Sequence, residues 1–151
     1  MQTVLFKSLM FPFSLLYGIG IAMRDILYDK SVLKSTKFSL PIINIGNLSL
    51  GGSGKTPHVE YLIRNLLPYL KISTLSRGYK RKTSGFKEVF ASNTALEVGD
   101  EPLQYKTKFP DVHVCVAEDR VFGASNIVAQ YPTMQVIILD DAFQHRAIHP
   151  G

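Results

Sequence analysis

The stretch Ser49-Leu-Gly-Gly-Ser-Gly-Lys-Thr56 lies between an apolar run and an amphipathic segment, and it determines the fold that we expect for this chain. It departs from the phosphate-loop pattern Gly-x-x-x-x-Gly-Lys-Ser/Thr at its first position, where a serine stands in place of glycine. The remaining glycines still let successive backbone N–H groups face one concavity at the start of the next helix. We therefore predict that a polyphosphate binds to Ser49, Leu50, Gly51, Gly52, Ser53, Gly54, Lys55 and Thr56.

The last two residues of the stretch have separate predicted roles. In this pattern the lysine contacts the β- and γ-phosphates of ATP, and the hydroxyl residue binds Mg²⁺. Lys55 is accordingly a candidate catalytic residue and Thr56 a candidate metal ligand. Pro57 fits a helix that starts here, because N–H groups of a first turn have no intrahelical partner. The alternative is an ordinary glycine-rich turn, which the strand–turn–helix context disfavours.

Short apolar strands alternate with helical segments along the rest of the chain. This order is typical of a parallel sheet with helices on both faces. We predict an α/β fold with a mostly parallel sheet similar to that of P-loop NTPases, preceded by an N-terminal helix over 1–27. The P-loop domain is assigned to 38–151, and we expect it to be incomplete after the last strand. Strands are expected at 40–45, 71–76, 86–90, 112–117 and 135–140, and helices at 58–70, 100–109 and 120–129.

The run Val136-Ile-Ile-Leu-Asp-Asp141 supplies the second half of a nucleotide site. Its apolar residues predict a strand inside the sheet, and acids at the end of such a strand hold Mg²⁺ in P-loop proteins. Alone the signal is weak, since apolar strands often end in Asp at turns. Together with the phosphate loop it makes Asp140 the first candidate metal ligand and Asp141 the second. The expected cofactors are ATP and Mg²⁺.

The composition excludes several classes of protein. The 151 residues include 17 Lys+Arg and 12 Asp+Glu, giving a net charge of +5, and 46% of them are hydrophobic. This balance rules out collagen and wholesale disorder. A lone Cys115 cannot form an internal disulfide, which favours a reducing compartment. The positive surplus suits nucleic acid, an anionic membrane or a phosphorylated substrate, and it does not choose among them.

The N-terminal region is uncharged from Ser8 to Met23. A membrane-spanning helix needs about 20 apolar residues, and this run is shorter and contains Pro12 and two glycines. We predict a helix lying in a membrane interface, although the residues alone equally fit a helix packed on the domain. The expected immersed side chains are Phe11, Phe13, Leu15, Leu16 and Tyr17, and those expected near anionic headgroups are Lys7, Arg24 and Lys30.

Taken together, these motifs resemble the tetraacyldisaccharide 4'-kinase family, the lipid A 4'-kinases of Gram-negative bacteria. The resemblance implies ATP-dependent phosphorylation of the 4'-hydroxyl of a lipid-linked glucosamine disaccharide 1-phosphate, at the cytoplasmic face of the inner membrane. It implies no nucleic acid and no obligate protein partner. In this family too a small hydroxyl residue replaces the first glycine of the loop, and an N-terminal helix faces the membrane. The matching stretches are Gly46-Asn-Leu-Ser-Leu-Gly-Gly-Ser-Gly-Lys-Thr-Pro57, Leu75-Ser-Arg-Gly-Tyr79, Val98-Gly-Asp-Glu-Pro102, Val116-Ala-Glu-Asp-Arg120 and Leu139-Asp-Asp-Ala-Phe-Gln-His-Arg146.

The resemblance implies a catalytic role for Asp100 as the base near the attacking hydroxyl. The sequence alone favours a helix N-cap at this position, because Asp often caps helices. Glu101 is a candidate for assisting the metal, or it simply favours the helix dipole.

Four further residues are candidate substrate contacts on the same ground. Arg77 suits the 1-phosphate by bidentate pairing, and the ring of Tyr79 suits a sugar face. Arg120 is a candidate phosphate ligand, with a weak surface salt bridge to Glu118 as the alternative. His145 is a candidate saccharide contact, although a lone histidine is more often structural. The run 80–82, directly after Tyr79, is either a solvated basic loop or part of the contact with an anionic lipid surface.

Members of the resembled family are considerably longer, and their catalytic histidine has no counterpart in this chain. We therefore expect either a fragment or a truncated reading frame, with little kinase activity on its own. The alternative functions are an inactive ATP- or lipid-binding fragment and another P-loop NTPase, such as a metallochaperone GTPase or a nucleic-acid ATPase. The last two would need metal-ligand clusters or a basic face rich in aromatic residues, and the sequence shows neither.

Overall fold

The computed structural model describes residues 2–30, 32–46, 54–141 and 146–149. Contacts between residues divide the chain into two units, Met1–Ser35 and Thr36–Gly151. The first unit contains helix α1 (Gln2–Asp29), with Pro12 inside it. Within the described ranges, no helix is both long enough and apolar enough to cross a membrane. The side chains of Lys7, Phe11 and Phe13 lie outside the described part, and exposed apolar side chains of α1 include Leu15, Leu16, Tyr17, Ile19, Met23 and Ile26.

The second unit is built on a five-stranded sheet. Its strands are β1 (Ile42–Ile45), β2 (Ile72–Ser76), β3 (Lys87–Glu88), β4 (His113–Val116) and β5 (Val136–Asp140). Their order across the sheet is β1-β5-β2-β4-β3, with parallel pairing except for the antiparallel edge strand β3. The expectation of an α/β fold with a mostly parallel sheet is confirmed. Each strand is shorter than the sequence predicted, at one end or at both.

In the described part of this unit, four helices accompany the sheet: α2 (Lys55–Leu66), α3 (Ala95–Val98), α4 (Asp100–Lys108) and α5 (Arg120–Gln130). Helix α2 begins before the expected position 58, so Pro57 falls in its first turn, where proline is tolerated. It ends well before the expected position 70, because Pro68 has no N–H to continue the hydrogen-bond ladder. The predicted first and last residues of this helix, 58 and 70, were therefore both wrong.

The short helix α3 was not predicted. A capping box stabilises its start. The Thr94 side chain accepts a hydrogen bond from the Glu97 backbone N–H, and the Glu97 carboxylate accepts one from the Thr94 backbone N–H. The Thr-x-x-Glu spacing is readable in the sequence and would have indicated a helix start at this position. Helix α3 matters for the site because it leads directly into α4, with only Gly99 between the two helices.

Helices cover both faces of the sheet. Alternate residues of a strand point to opposite faces, so Val114 and Ile138 belong to one core and Cys115 and Leu139 to the other. The first core also contains Val59 and Ile63 of α2, Tyr105 of α4 and Phe109 directly after α4. The second contains Ala124 and Ile127 of α5. This arrangement leaves the ends of the parallel strands as the place where polar residues gather.

Candidate nucleotide-binding site

The carboxyl ends of four parallel strands meet at one edge of the sheet. Ile45 at the end of β1 pairs with Asp140 at the end of β5, and the Asp141 N–H donates to the Ile45 carbonyl at 2.9 Å. Ser76 at the end of β2 pairs with Val116 at the end of β4. In open α/β sheets, ligands bind outside the carboxyl ends of the strands. The segments after these four strands therefore share one edge, and they carry most of the predicted site residues.

The phosphate-binding stretch is described only at its end. The predicted contacts of Ser49, Leu50, Gly51, Gly52 and Ser53 lie outside the described residues. Gly54 precedes α2 with φ of +71°, a left-handed conformation that favours glycine. Lys55 Nζ lies 2.5 Å from Asp141 Oδ1, which joins the start of α2 to the residue after β5. The structure thus brings the predicted phosphate lysine and one predicted metal acid into contact.

Asp140 is the buried acid of the site. It is 6% exposed, and its Oδ2 accepts a hydrogen bond of 3.0 Å from the Tyr105 hydroxyl. Burial raises the pKa of Asp140, and the neighbouring Asp141 and Glu101 act in the same direction, whereas Tyr105 and Lys55 oppose them. A buried carboxylate next to other acids is costly unless a cation neutralises it. Asp140 therefore has the electrostatic character expected of a metal ligand.

The residues at this edge fit a magnesium ion. Mg²⁺ prefers oxygen ligands, and in nucleotide sites it takes one or two carboxylates together with phosphate oxygens. The Tyr105 hydroxyl donates to Asp140 and interacts electrostatically with the nearby Thr56 side chain, so the predicted ligands Thr56 and Asp140 lie in the same region. In the described part of the chain, no group of three or more His, Cys, Asp or Glu residues is suited to hold a metal. Asp140 and Thr56 offer oxygen ligands of the kind that Mg²⁺ combines with nucleotide phosphates.

Asp100 is the first residue of α4 and is exposed. The N-cap of this helix is Gly99, so the alternative interpretation of Asp100 as the cap was wrong. The reason is a close backbone approach: Gly99 has φ of +96°, and a Cβ there would lie 2.9 Å from the Gly78 Cα. A Cβ on Gly78 would in turn lie 2.6 Å from the Val98 carbonyl oxygen. The two glycines hold the start of α4 against the loop after β2.

Arg120 is buried at the start of α5, with 2% of its surface exposed. Its Nη1 donates to the backbone carbonyl of Ala117 at 2.7 Å and to that of Glu118 at 3.3 Å. The alternative of a surface salt bridge to the Glu118 side chain was therefore wrong. Burial and the neighbouring Arg77 guanidinium lower the pKa of Arg120, while Asp140 and Asp141 raise it. Arg120 consequently lies within electrostatic reach of the acids.

The Glu118 carboxylate pairs instead with Arg81, at 2.5 Å. The side chain of Arg81 is only 2% exposed, and its Nη2 also donates to the Gly85 carbonyl at 2.6 Å. Glu118 Oε2 accepts a hydrogen bond from the Gly85 N–H at 2.9 Å, so this one carboxylate binds two residues of the loop, Arg81 and Gly85. The interpretation of 80–82 as a uniformly solvated or lipid-facing loop was thus wrong for its central residue. No local pattern marks this arginine, because its partner lies far along the chain.

The other predicted substrate contacts remain predictions. Arg77 and Tyr79 are exposed and come after β2 at the carboxyl edge, and Lys80 Nζ lies 5.3 Å from the centre of the Tyr79 ring. Glu101 is half-buried in the first turn of α4. His145 lies outside the described residues. Sequence reasoning also missed Tyr105, whose place on the apolar face of α4 looks like an ordinary core position.

Lys55 and Thr56 begin α2, the helix that follows the parallel strand β1. The buried Asp140 ends β5, the strand next to β1 in the sheet. This combination defines the class of P-loop nucleotide-binding proteins. A family model described as "LpxK: Tetraacyldisaccharide-1-P 4'-kinase" matches residues 6–150. The chain belongs to the tetraacyldisaccharide 4'-kinase family, and the resemblance noted from the sequence is confirmed.

The relatives define how much of the family's length the chain represents. It is 50% identical over 147 residues to a tetraacyldisaccharide 4'-kinase of Flavobacterium johnsoniae, covering 97% of this chain and 43% of that protein. A relative of the same name from Parabacteroides distasonis is 50% identical over 151 residues, covering 99% of this chain and 41% of that protein. The chain thus spans less than half the length of these relatives.

A solved structure shows the same fold. It is described as the "apo" form of LpxK from Aquifex aeolicus in complex with ATP, and it superposes with a TM-score of 0.85 at 43% identity. The match covers 96% of this chain and 47% of that chain.

Proposed function

We propose that this chain supplies the ATP-binding part of a kinase that phosphorylates the 4'-hydroxyl of a tetraacyl glucosamine disaccharide 1-phosphate in lipid A biosynthesis. The observation that carries the proposal is the gathering of Lys55, Thr56 and Asp140 at one sheet edge, in a chain of this family. The names of the relatives supply the substrate class.

The proposed reaction transfers the γ-phosphoryl group of ATP. The 4'-oxygen forms a bond to the γ-phosphorus, the bond between that phosphorus and the β–γ bridging oxygen breaks, and ADP leaves. Asp100, exposed at the start of α4, accepts the proton of the hydroxyl. Lys55 neutralises charge on the β- and γ-phosphates. When bound, Mg²⁺ would neutralise further phosphate charge, held by Thr56 and Asp140 with Asp141 or Glu101 in support.

The contact between Lys55 and Asp141 is expected to change when ATP binds. Lys55 Nζ is paired with the Asp141 carboxylate, and phosphate oxygens would compete with that carboxylate for the ammonium group. Both side chains are partly exposed, and such a pair contributes about 1 kcal/mol or less to stability. The exchange is therefore cheap, and it releases Asp141 for the metal.

We assign the acceptor side of the site to the loops after β2 and β4. The exposed Arg77 and Tyr79 are available to the 1-phosphate and to a sugar ring, and His145 stays a candidate saccharide contact. The buried Arg120 adds positive charge near the acids. We expect its contribution to phosphate binding to come from that charge, because its Nη1 is already bonded to backbone carbonyls.

The test is a chimera with a longer relative. The aligned segment of the Flavobacterium johnsoniae protein is replaced by this chain, and transfer of ³²P from ATP to the disaccharide 1-phosphate is measured. We expect transfer by the chimera and none by the same chimera with Lys55→Ala. A folded chimera that binds ATP but transfers no phosphate to this acceptor would contradict the proposal.

We further propose that α1 lies in the surface of the inner membrane at its cytoplasmic face. Its exposed Leu15, Leu16 and Tyr17 would be immersed among acyl chains, with Arg24 and Lys30 near anionic headgroups. Within the described ranges, no helix is suited to span the bilayer.

Liposome sedimentation tests this placement. The chain should pellet with vesicles containing anionic lipid, and deletion of 1–25 or the double variant Leu15→Glu/Leu16→Glu should abolish pelleting. Tyr69→Glu, which places the same charge at an exposed aromatic residue of the second unit, is the matched control and should pellet normally. Equal pelleting of the deleted and intact chains would refute the membrane placement.

A further inference from the structure

Tyr105 lies in the middle of α4, and its side chain is completely buried. It belongs to the core cluster that also contains Val59, Ile63 and Ile138. Packing alone does not explain a tyrosine here, since phenylalanine would fill the same space without burying a polar atom. A buried phenol is tolerated when its hydroxyl has partners. The identity of those partners therefore indicates what the hydroxyl is for.

The Tyr105 hydroxyl binds one of the two principal candidate ligands of Mg²⁺ and lies near the other. Its proton is donated to Asp140 Oδ2 at 3.0 Å, and its oxygen interacts electrostatically with the nearby Thr56 hydroxyl. A phenol has one proton to donate and lone pairs with which to accept, so its oxygen stays available to the Thr56 side while its proton is held by Asp140. One atom of α4 thus sets the direction of a carboxylate on β5 and lies near a hydroxyl on α2.

The same helix carries the candidate base, Asp100. The contact between Gly78 and Gly99 fixes the N-terminus of α4, and Tyr105 fixes its middle against β5. The neighbouring Gln104 donates to Glu60 of α2 at 2.6 Å, which is a second tie that does not involve the candidate metal ligands. Helix α4 therefore connects the candidate base Asp100 with the candidate metal ligand Asp140.

We infer that Tyr105 is a positioning residue whose hydroxyl holds the Asp140 carboxylate, near the Thr56 hydroxyl, in the orientation that receives Mg²⁺ with the nucleotide phosphates. The inference rests on the proposed function, because it presupposes Mg²⁺–ATP at this edge of the sheet. Groups that hydrogen-bond to metal ligands commonly change metal affinity by about 10–100-fold when they are removed.

The test is Tyr105→Phe, which removes one oxygen and keeps the ring. ATP binding to the 151-residue chain is measured by calorimetry over a series of Mg²⁺ concentrations and in EDTA. We expect the Mg²⁺ concentration needed for half-maximal enhancement of binding to rise about tenfold. The affinity for ATP in EDTA should be unchanged, since the hydroxyl acts through Asp140, whose predicted ligand is the metal and not a phosphate.

Two control variants separate positioning from structural support. Tyr61→Phe removes a hydroxyl from an exposed tyrosine of α2 and should leave binding unchanged. Gln104→Ala removes a hydrogen bond between α4 and α2, and should lower the melting temperature without changing the Mg²⁺ requirement.

Three results for Tyr105→Phe would overturn the inference. The variant could keep the original Mg²⁺ requirement, it could lose ATP affinity equally with and without Mg²⁺, or it could fail to fold. The absence of Mg²⁺-enhanced ATP binding in the unmodified chain would instead overturn the proposed function and the inference together. The unmodified chain thus distinguishes the two failures.

Discussion

Replacing Lys55 with alanine is expected to weaken ATP binding by about 100-fold. A hydrogen bond to a charged partner contributes about 1.5–3 kcal/mol, and each 1.4 kcal/mol corresponds to a factor of ten in affinity. Because Lys55 would contact two phosphates, the upper end of this range applies. Its loss should hardly change stability, since its contact with Asp141 is partly exposed. Calorimetry of ATP binding and thermal unfolding measure the two effects separately.

The matched control for this variant is Lys71→Ala. Lys71 is exposed and precedes β2 at the opposite, amino-terminal edge of the sheet. Removing it changes the net charge by the same amount, so a general electrostatic effect would appear equally in both variants. Comparable weakening by the two substitutions would contradict the placement of the phosphates at Lys55.

Gly99→Ala is expected to destabilise the fold by about 2–6 kcal/mol. Gly99 adopts φ of +96° and ψ of 156°, a conformation that costs a non-glycine residue about 1–3 kcal/mol. The added Cβ would also lie 2.9 Å from the Gly78 Cα, and overpacking against backbone costs about 1–3 kcal/mol more. Urea denaturation followed by circular dichroism measures the change in the free energy of unfolding.

Gly85→Ala isolates the contribution of that contact. Gly85 also has a positive φ, of +75°, but a Cβ there would meet nothing within 4 Å. It should therefore cost only the backbone strain, about 1–2 kcal/mol. If the two variants were equally destabilised, the contact between the loop after β2 and the start of α4 would not hold the site together.

The strands and the nucleotide motifs were predictable because their signals are local. Each strand is a short apolar run bounded by turn residues, and the glycine-rich stretch before Lys55 has a defined spacing. The carboxyl-edge placement of Asp140 was also predictable, because parallel strands end at the same side of a sheet. Helix ends were less certain, as the effect of Pro68 on α2 shows.

The features that the sequence did not predict depend on contacts between residues that are far apart in the chain. Arg81 looked like one of several basic loop residues, and only its pairing with Glu118 shows that it is buried. Tyr105 looked like a core aromatic residue. Its hydrogen bond to Asp140 joins two segments that lie 35 residues apart, and no local pattern predicts that contact. A periodic pattern reports whether a side chain is buried, but not which polar partner it meets.

The position of the new phosphate on the product of the chimera tests the central claim most directly. The ³²P-labelled disaccharide is isolated, and phosphorus–proton correlation by NMR identifies the carbon that bears the transferred group. The proposed function predicts a single new phosphate on the 4'-oxygen, with the 1-phosphate intact. A phosphate on any other hydroxyl, or release of inorganic phosphate without transfer to the disaccharide, would contradict it.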